Sequence, residues 1–226
     1  TDANESDRHA ALNKYLFEQA GFHGSRTNYY HRSNSYINEA IDDREGLPIT
    51  LSVFYMEMAR RLNLKVVGVG LPGHFVVRFE PSEGEGQLVD VFDGGKEMSR
   101  ADAVALIRER LRPGTTTDEV DAVVEQFLEA STPQSIIVRM LSNLQGAADK
   151  EQDREAILRY LSTAIAVDPD DVQSRARRID VEIRTERLED ALIDIDWMLE
   201  RRPEGMNVGR VLELRTDIEA KLQRAK

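Results

Sequence analysis

There is no cysteine among the 226 residues of this chain. That excludes disulfides, thiolate metal sites and any chemistry carried by a sulfur nucleophile or a thiol redox couple; the compartment stays open, with a reducing cytoplasm as the default expectation. No run approaches the roughly 18 consecutive apolar residues of a membrane-spanning helix. The amino terminus, Thr1-Asp2-Ala3-Asn4-Glu5-Ser6-Asp7, is acidic and polar, unlike a secretory signal. Positive charge is in deficit: 30 Lys and Arg against 41 Asp and Glu give a net charge of −11, and no Lys/Arg-dense stripe offsets it. A phosphate backbone or an anionic bilayer would be repelled on average, so neither nucleic acid nor membrane is an expected partner. The pairs Arg60-Arg61, Arg177-Arg178 and Arg201-Arg202 read as solvated helix faces. Histidine is scarce too, with four in all. His9, His23 and His31 show no HExxH-type pairing, so no metal or cofactor is expected, and these three read as exposed or locally hydrogen-bonded.

What is present can fold. Hydrophobic residues make up 41% and charged residues 31%, enough for packed cores in one large or two small domains. Residues 8 to 20 carry Leu12, Leu16 and Phe17 at helical spacing and stop at Gly21. Phe22 to Ser35 is rich in Gly, Ser, Asn, Tyr and His and reads as irregular, followed by a short helix from Ser35 to Asp42 capped by Asn34 or Ser35. Pro48 then sits in the first turn of a helix, where its missing N–H is no loss, and Leu51, Phe54 or Tyr55, Met58 and Leu62 form its apolar stripe.

From Lys65 to Phe92 the period changes from 3.6 to 2. Val66 to Leu71, His74 to Phe79 and Gln87 to Phe92 read as strands around the turn-rich segment Pro81-Ser82-Glu83-Gly84-Glu85-Gly86. After Asp93-Gly94-Gly95 the pattern is helical throughout. Ser99 with Asp102 resembles a capping box, Pro113-Gly114-Thr115-Thr116 breaks the chain, a helix follows from Asp118 to Ala130, and Ser131-Thr132-Pro133 opens a longer one to about Ala148. Pro169 and Pro203 stand 34 residues apart, each after an apolar helical segment, and a last helix spans about Val208 to Lys221. That period is the tetratricopeptide spacing, although Ala156 and Ala191 are one residue out of phase and Leu141, Leu144, Arg175 and Arg178 replace the expected large aromatics. The expected organisation is a core over residues 1–95, a helical connector over 96–132 and helical repeats over 133–226.

Two residues stand out chemically. His74 opens a strand directly after Pro72-Gly73, at a sheet rim, and Asp90 is the acid inside the following strand. A carboxylate there can fix one imidazole tautomer and support its protonated form, or the two can form a purely structural strand-end pair. A symmetric hairpin about residues 83 and 84 would set Asp90 opposite Val77, about 10 Å out of place, unless a bulge near the glycines intervenes. Thr50 and Ser52 lie where a helix dipole favours a developing anion, yet an alcohol needs a well-placed base, so both read chiefly as partners for backbone groups, Thr50 at the helix start. Asn34 and Tyr36, with Tyr29-Tyr30, either line a cleft or cap a helix and pack the loop.

Five separated stretches, Leu12 to Gly24, Asn34 to Glu39, Gly46-Leu47-Pro48-Ile49-Thr50-Leu51, Leu71 to Arg78, and Val89-Asp90-Val91-Phe92-Asp93-Gly94-Gly95, together resemble the SirB-type bacterial proteins. The resemblance runs over nearly the whole chain from about residue 8. It implies an α+β fold: a papain-like transglutaminase-type core, with a central helix on a small antiparallel sheet, followed by all-α tetratricopeptide-like helices, and an upstream helix before residue 1. By motif, His74 and Asp90 fall on the last two positions of a Cys-His-Asp triad and Pro48 on or beside the cysteine position. Asp90-Val91-Phe92 departs from the more usual Asp-Pro-Phe, and both departures count against acyl transfer.

Three functions are consistent with these residues. The favoured one is a catalytically silent transglutaminase-like module that acts through a protein or peptide partner, in interaction or regulation. The alternative is a hydrolase or acyltransferase in which His74 is the base, Asp90 orients it and Thr50 or Ser52 attacks. The third is a cleft for a small molecule or peptide end, with His74 and Arg78 supplying polar contacts.

Overall fold

The computed structural model describes residues 3–111 and 116–224, so most of the break expected at Pro113-Gly114-Thr115-Thr116 lies outside the described residues. The fold is α+β and mostly helical, with one small antiparallel sheet. Two compact units, Thr1–Ile136 and Ile137–Lys226, meet in sequence within helix α6 (Pro133–Glu151).

In the first unit, β3 (Val66–Leu71), β4 (His74–Phe79), β5 (Gln87–Asp90) and β6 (Lys96–Met98) form an antiparallel meander in that order. Strand β6 corrects the all-helical reading after Gly95. Its three residues, Lys-Glu-Met, carry no strand signal of their own; pairing Leu88 with Met98 and Asp90 with Lys96 imposes the extended form. The other end of the sheet is partly covered: Val69 bridges Ala130, and the Ser131 N–H donates to the Gly68 carbonyl at 2.8 Å.

Both faces of the sheet are covered. On one, Val77, Phe79 and Val89 pack with Leu12 and Leu16 and with Leu51, Tyr55 and Ala59 of α3 (Pro48–Arg61). Pro48 occupies the first turn of α3 as expected, and the buried stripe makes this the central helix. On the opposite face, Val69, Leu71, Val76 and Leu88 pack with Ala103 and Ile107 of α4 (Arg100–Arg108) and with Val120, Val124 and Leu128 of α5 (Thr117–Leu128). Helices α4 and α5, parts of the 96–132 span read from sequence as a connector, therefore pack on the sheet. Helix α4 opens with the Ser99–Asp102 capping box, each side chain bonding the other's backbone N–H.

The amino-terminal segments differ from expectation in detail. Helix α1 (Glu5–Asn13) starts earlier and passes into a π turn at Lys14–Gln19, closed by the Ala20 N–H on the Tyr15 carbonyl at 2.7 Å. This places the Phe17 ring so close to Gly95 (φ +76°) that a Cβ there would lie 2.3 Å from it. Two short parallel strands, β1 (His23–Gly24) and β2 (Glu45–Gly46), have no sequence signal. Helix α2 (Ile37–Asp43) has Tyr36 at its N-cap position, with no capping hydrogen bond from the side chain, which corrects the cap assigned to Asn34 or Ser35. The Asn34 amide is turned inward, within reach of Ser25 Oγ (3.0 Å) and the Asn28 carbonyl (2.7 Å), and ties the loop down. His9 is not exposed: it is 5% accessible, stacks on Phe79 at 4.2 Å, and its Nε2 is buried without a hydrogen-bond partner among the described residues.

The second unit contains α7 (Arg154–Val167), α8 (Val172–Arg184), α9 (Leu188–Arg201) and α10 (Val208–Arg224), two helical hairpins whose first helices start 34 residues apart. The arginines standing where aromatics were expected are internal. Arg175 Nη1 donates to Asp194 Oδ1 at 2.7 Å, Arg178 Nε to Asp194 Oδ2 at 2.7 Å, and the Arg175 guanidinium lies 4.1 Å from the Trp197 ring centre. Asp194 is fully buried. The reading of Arg177-Arg178 as a solvated face thus fails at Arg178, because a buried carboxylate on α9 draws its guanidinium inward.

Two outcomes follow. Burial holds the His9 imidazole below its ordinary pKa, so the folded chain prefers it neutral. That contribution is complete above about pH 6.5 and declines as the unfolded state takes up protons below it. In thermal melts, His9→Phe should therefore lose less stability than the wild type between pH 7 and pH 5. Asp194→Ala leaves two guanidinium groups without their acceptor and should destabilise the second unit by about 3–5 kcal/mol, read by urea unfolding through Trp197 fluorescence.

Candidate functional site

The imidazole and carboxylate singled out in the sequence do meet. His74 Nε2 and Asp90 Oδ2 are 2.8 Å apart, with both side chains partly buried. The pairing register explains it. Val77 faces Val89 and Arg78 faces Leu88, one residue away from the symmetric hairpin reading. Continued by one residue, this sets Asp90 across from Val76, so His74, two residues from Val76, shares its face of the sheet as a diagonal neighbour. With Asp90 opposite Val77 the two side chains would have been on opposite faces. No bulge is needed.

Each partner is held by its own turn. Pro72-Gly73 joins β3 to β4 in two residues, with Gly73 at φ +71°, so Leu71 and His74 pair directly. Asp90 ends β5, and its other carboxylate oxygen, Oδ1, accepts from the backbone N–H groups of Phe92 (3.0 Å) and Asp93 (3.1 Å). Those two bonds fix the carboxylate plane and leave Oδ2 for the imidazole. The Phe92 ring stands edge-on to His74 at 6.2 Å and backs onto Gly24, where a Cβ would fall 2.3 Å from the ring. The Arg26 guanidinium lies 5.4 Å from the Phe92 ring centre and pairs with Asp93 at 2.5 Å.

The pair opens onto a cleft of about 540 Å³. Pro72 and the dyad form one side; Lys96 and Met98 of β6 and Leu106 of α4 are among the residues lining it, as is Arg110 beyond α4. Arg110 closes over Gly73, where a Cβ would lie 3.2 Å from its guanidinium. Ser99 hydrogen bonds hold the Asp102 carboxyl, on the α4 wall, below the usual carboxylate range. Sequence reading missed this wall. Its residues come from a helix and a strand whose local pattern says nothing about the hairpin they cover.

The remaining candidates lie elsewhere. Thr50 and Ser52 are 1% and 0% accessible in α3, and neither lines the cleft. Their hydroxyl oxygens have no hydrogen-bond partner among the described residues, so they neither engage His74 nor satisfy the backbone groups assigned to them. Arg78 is taken up by Glu80 (2.7 Å) and by the Leu128 carbonyl (2.5 Å) in a different cavity. Asn34 and Tyr36 serve the loop and the start of α2. Among the described residues no group of three His, Cys, Asp or Glu could hold a metal ion, and no helix is long and apolar enough to cross a membrane.

Chemically, the dyad can bind, orient and exchange a proton at the imidazole. A covalent acyl step also needs a nucleophile within hydrogen-bond reach of that ring. The chain supplies no thiol, and its two candidate hydroxyls are buried in α3 outside the cleft.

The family model of the transglutaminase-like superfamily matches residues 1–142. The chain is 39% identical over 138 residues to a UPF0162 protein of Xylella fastidiosa strain 9a5c, covering 60% of this chain and 47% of that protein. It is 32% identical over 205 residues to a UPF0162 protein of Xylella fastidiosa strain Temecula1, covering 89% of this chain and 70% of that protein. Protein SirB1 of Salmonella typhimurium is 23% identical over 189 residues, covering 84% and 68%. The chain thus spans about half the length of one of these relatives and somewhat over two thirds of the other two. No solved structure gives a significant match. A histidine and an aspartate joined at the rim of a sheet backed by a central helix, together with the match over residues 1–142, make this chain a member of the transglutaminase-like superfamily, of SirB type.

Proposed function

We propose that the first unit is a catalytically silent transglutaminase-like module whose His74–Asp90 cleft recognises a protein or peptide segment without covalent chemistry. The second unit, with its 34-residue offset, is read as a tetratricopeptide-like scaffold for the same interaction role. One observation carries the reading: the dyad is bonded at 2.8 Å beside an open cleft, while Thr50 and Ser52 are sealed in the core. An ordered imidazole–carboxylate pair without an attacking group retains its value for recognition, since the ring offers an oriented polar contact at a partly apolar surface.

A fluorophosphonate probe and a panel of amide and ester substrates test it. The expected result is no labelling and no turnover, in the wild type and in His74→Ala alike. Labelling that disappears in His74→Ala would reverse the reading in favour of a hydroxyl-dependent hydrolase or acyltransferase.

A further inference from the structure

The hydrogen-bond ladder of the sheet fixes which main-chain groups of β6 are in use. Leu71 and His74 close a two-residue turn and form a hydrogen-bonded pair, so Val69 with Val76 and Val67 with Arg78 do the same. The Glu80 N–H, donating to the Lys65 carbonyl at 2.8 Å, continues that alternation. Val77 and Phe79 therefore turn their N–H and C=O toward β5, where they meet Val89 and Gln87. Leu88 and Asp90 turn theirs toward β6, where they meet Met98 and Lys96. Glu97, between those two, directs both its N–H and its C=O out of the sheet. It is exposed, β6 is last in the strand order, and among the described residues no partner takes up either group.

The side chains of β6 alternate as the register requires. Glu97 shares the face of Val89, and its charge acts on His9 of α1, which burial keeps neutral. No cation pairs with Glu97 among the described residues. Lys96 and Met98 share the face of Leu88: Met98 packs on the core under α4 and α5, and the Lys96 charge acts on Asp102.

We propose that β6 is a docking edge for an extended segment of a partner protein, added antiparallel, with an apolar residue opposite Met98 followed by a Lys or Arg opposite Glu97. The outward N–H and C=O of Glu97 bond the main chain of that basic residue and so specify a strand. Antiparallel addition continues the meander and is the more stable pairing per residue. Residue-by-residue complementarity selects the side chains. A cation opposite Glu97 meets an unpaired carboxylate, and an apolar residue opposite Met98 extends a core already there. The residue opposite Lys96 is uncharged, because a base would meet Lys96 and an acid would meet Asp102 on the same face. A second copy of this chain paired about Glu97 would set Glu97 against Glu97, so the occupant is a different protein. This edge lies outside the recognition assigned to the His74 cleft, and the two readings fail separately: probe labelling bears on the cleft, main-chain pairing on β6.

The test is a titration of the full chain with N-acetyl-Thr-Leu-Lys-Thr-Thr amide, followed by backbone amide NMR shifts. The controls are the same peptide with Lys replaced by Glu and the same peptide N-methylated at the Lys amide, which loses the donor to the Glu97 carbonyl. The expected result is saturable shifts centred on Glu97 with the lysine peptide, with affinity about threefold to tenfold lower for each control. Glu97→Lys should reverse the charge preference, so that the glutamate peptide binds better than the lysine peptide. Glu97→Pro removes only the outward N–H, which an edge strand tolerates, and should weaken binding about tenfold while the amide shifts of β3 to β5 stay in place. No saturable shift at β6, equal binding of the lysine and glutamate peptides, full binding of the N-methylated peptide, or an unreversed preference in Glu97→Lys would each overturn the proposal.

Discussion

The register between β4 and β5 is the constraint on which the first unit depends. A strand has only two faces, and a slip of one residue moves every side chain to the other one. With Val77 against Val89, one face collects Val77, Phe79 and Val89 for the central helix, and the other collects Val76 and Leu88 for α4 and α5. The same choice delivers His74 and Asp90 to a single face at the rim. The cleft is thus not an addition to the core but the place where the packing pattern of one face runs out into polar residues.

The two units handle partly desolvated carboxylates in related ways. Asp90 is held by two N–H groups of its own turn and presents its free oxygen to an imidazole beside open space. Asp194 is held by two guanidinium groups and is closed off entirely. Orientation by neighbouring donors is common to both; access distinguishes them. Only the first arrangement leaves a polar group facing a cavity that a partner can enter.

Much of the fold was legible because it is written in periodic apolar residues. The Pro48 helix start, strands β3 to β5, the Ser99 capping box and the 34-residue offset of the helical hairpins follow from local pattern. The His74–Asp90 pair was legible as residue types but not as a contact, since the turn after Phe79 sets the register and its sequence admits more than one pairing. What stayed hidden depends on partners distant in the chain. Lys96-Glu97-Met98 is a strand only because β5 pairs with it, and Arg178 turns inward only because Asp194 waits sixteen residues on. His9 looked solvent-facing because a lone histidine in a polar helix gives no hint that an aromatic ring, Phe79, will cover it.

The sheet has one end bridged by Ala130 and Ser131, while β6 stands last in the strand order at the other. A strand from another chain added at the β3 edge would compete with this bridge, which favours the margin beyond β6. That margin is three residues long and includes Lys96 and Glu97, whose charges discourage indiscriminate edge-to-edge association. Because both residues also border the His74 cleft, an extended guest aligned along this margin would place its side chains at the mouth of the cavity, coupling main-chain capture to side-chain selection.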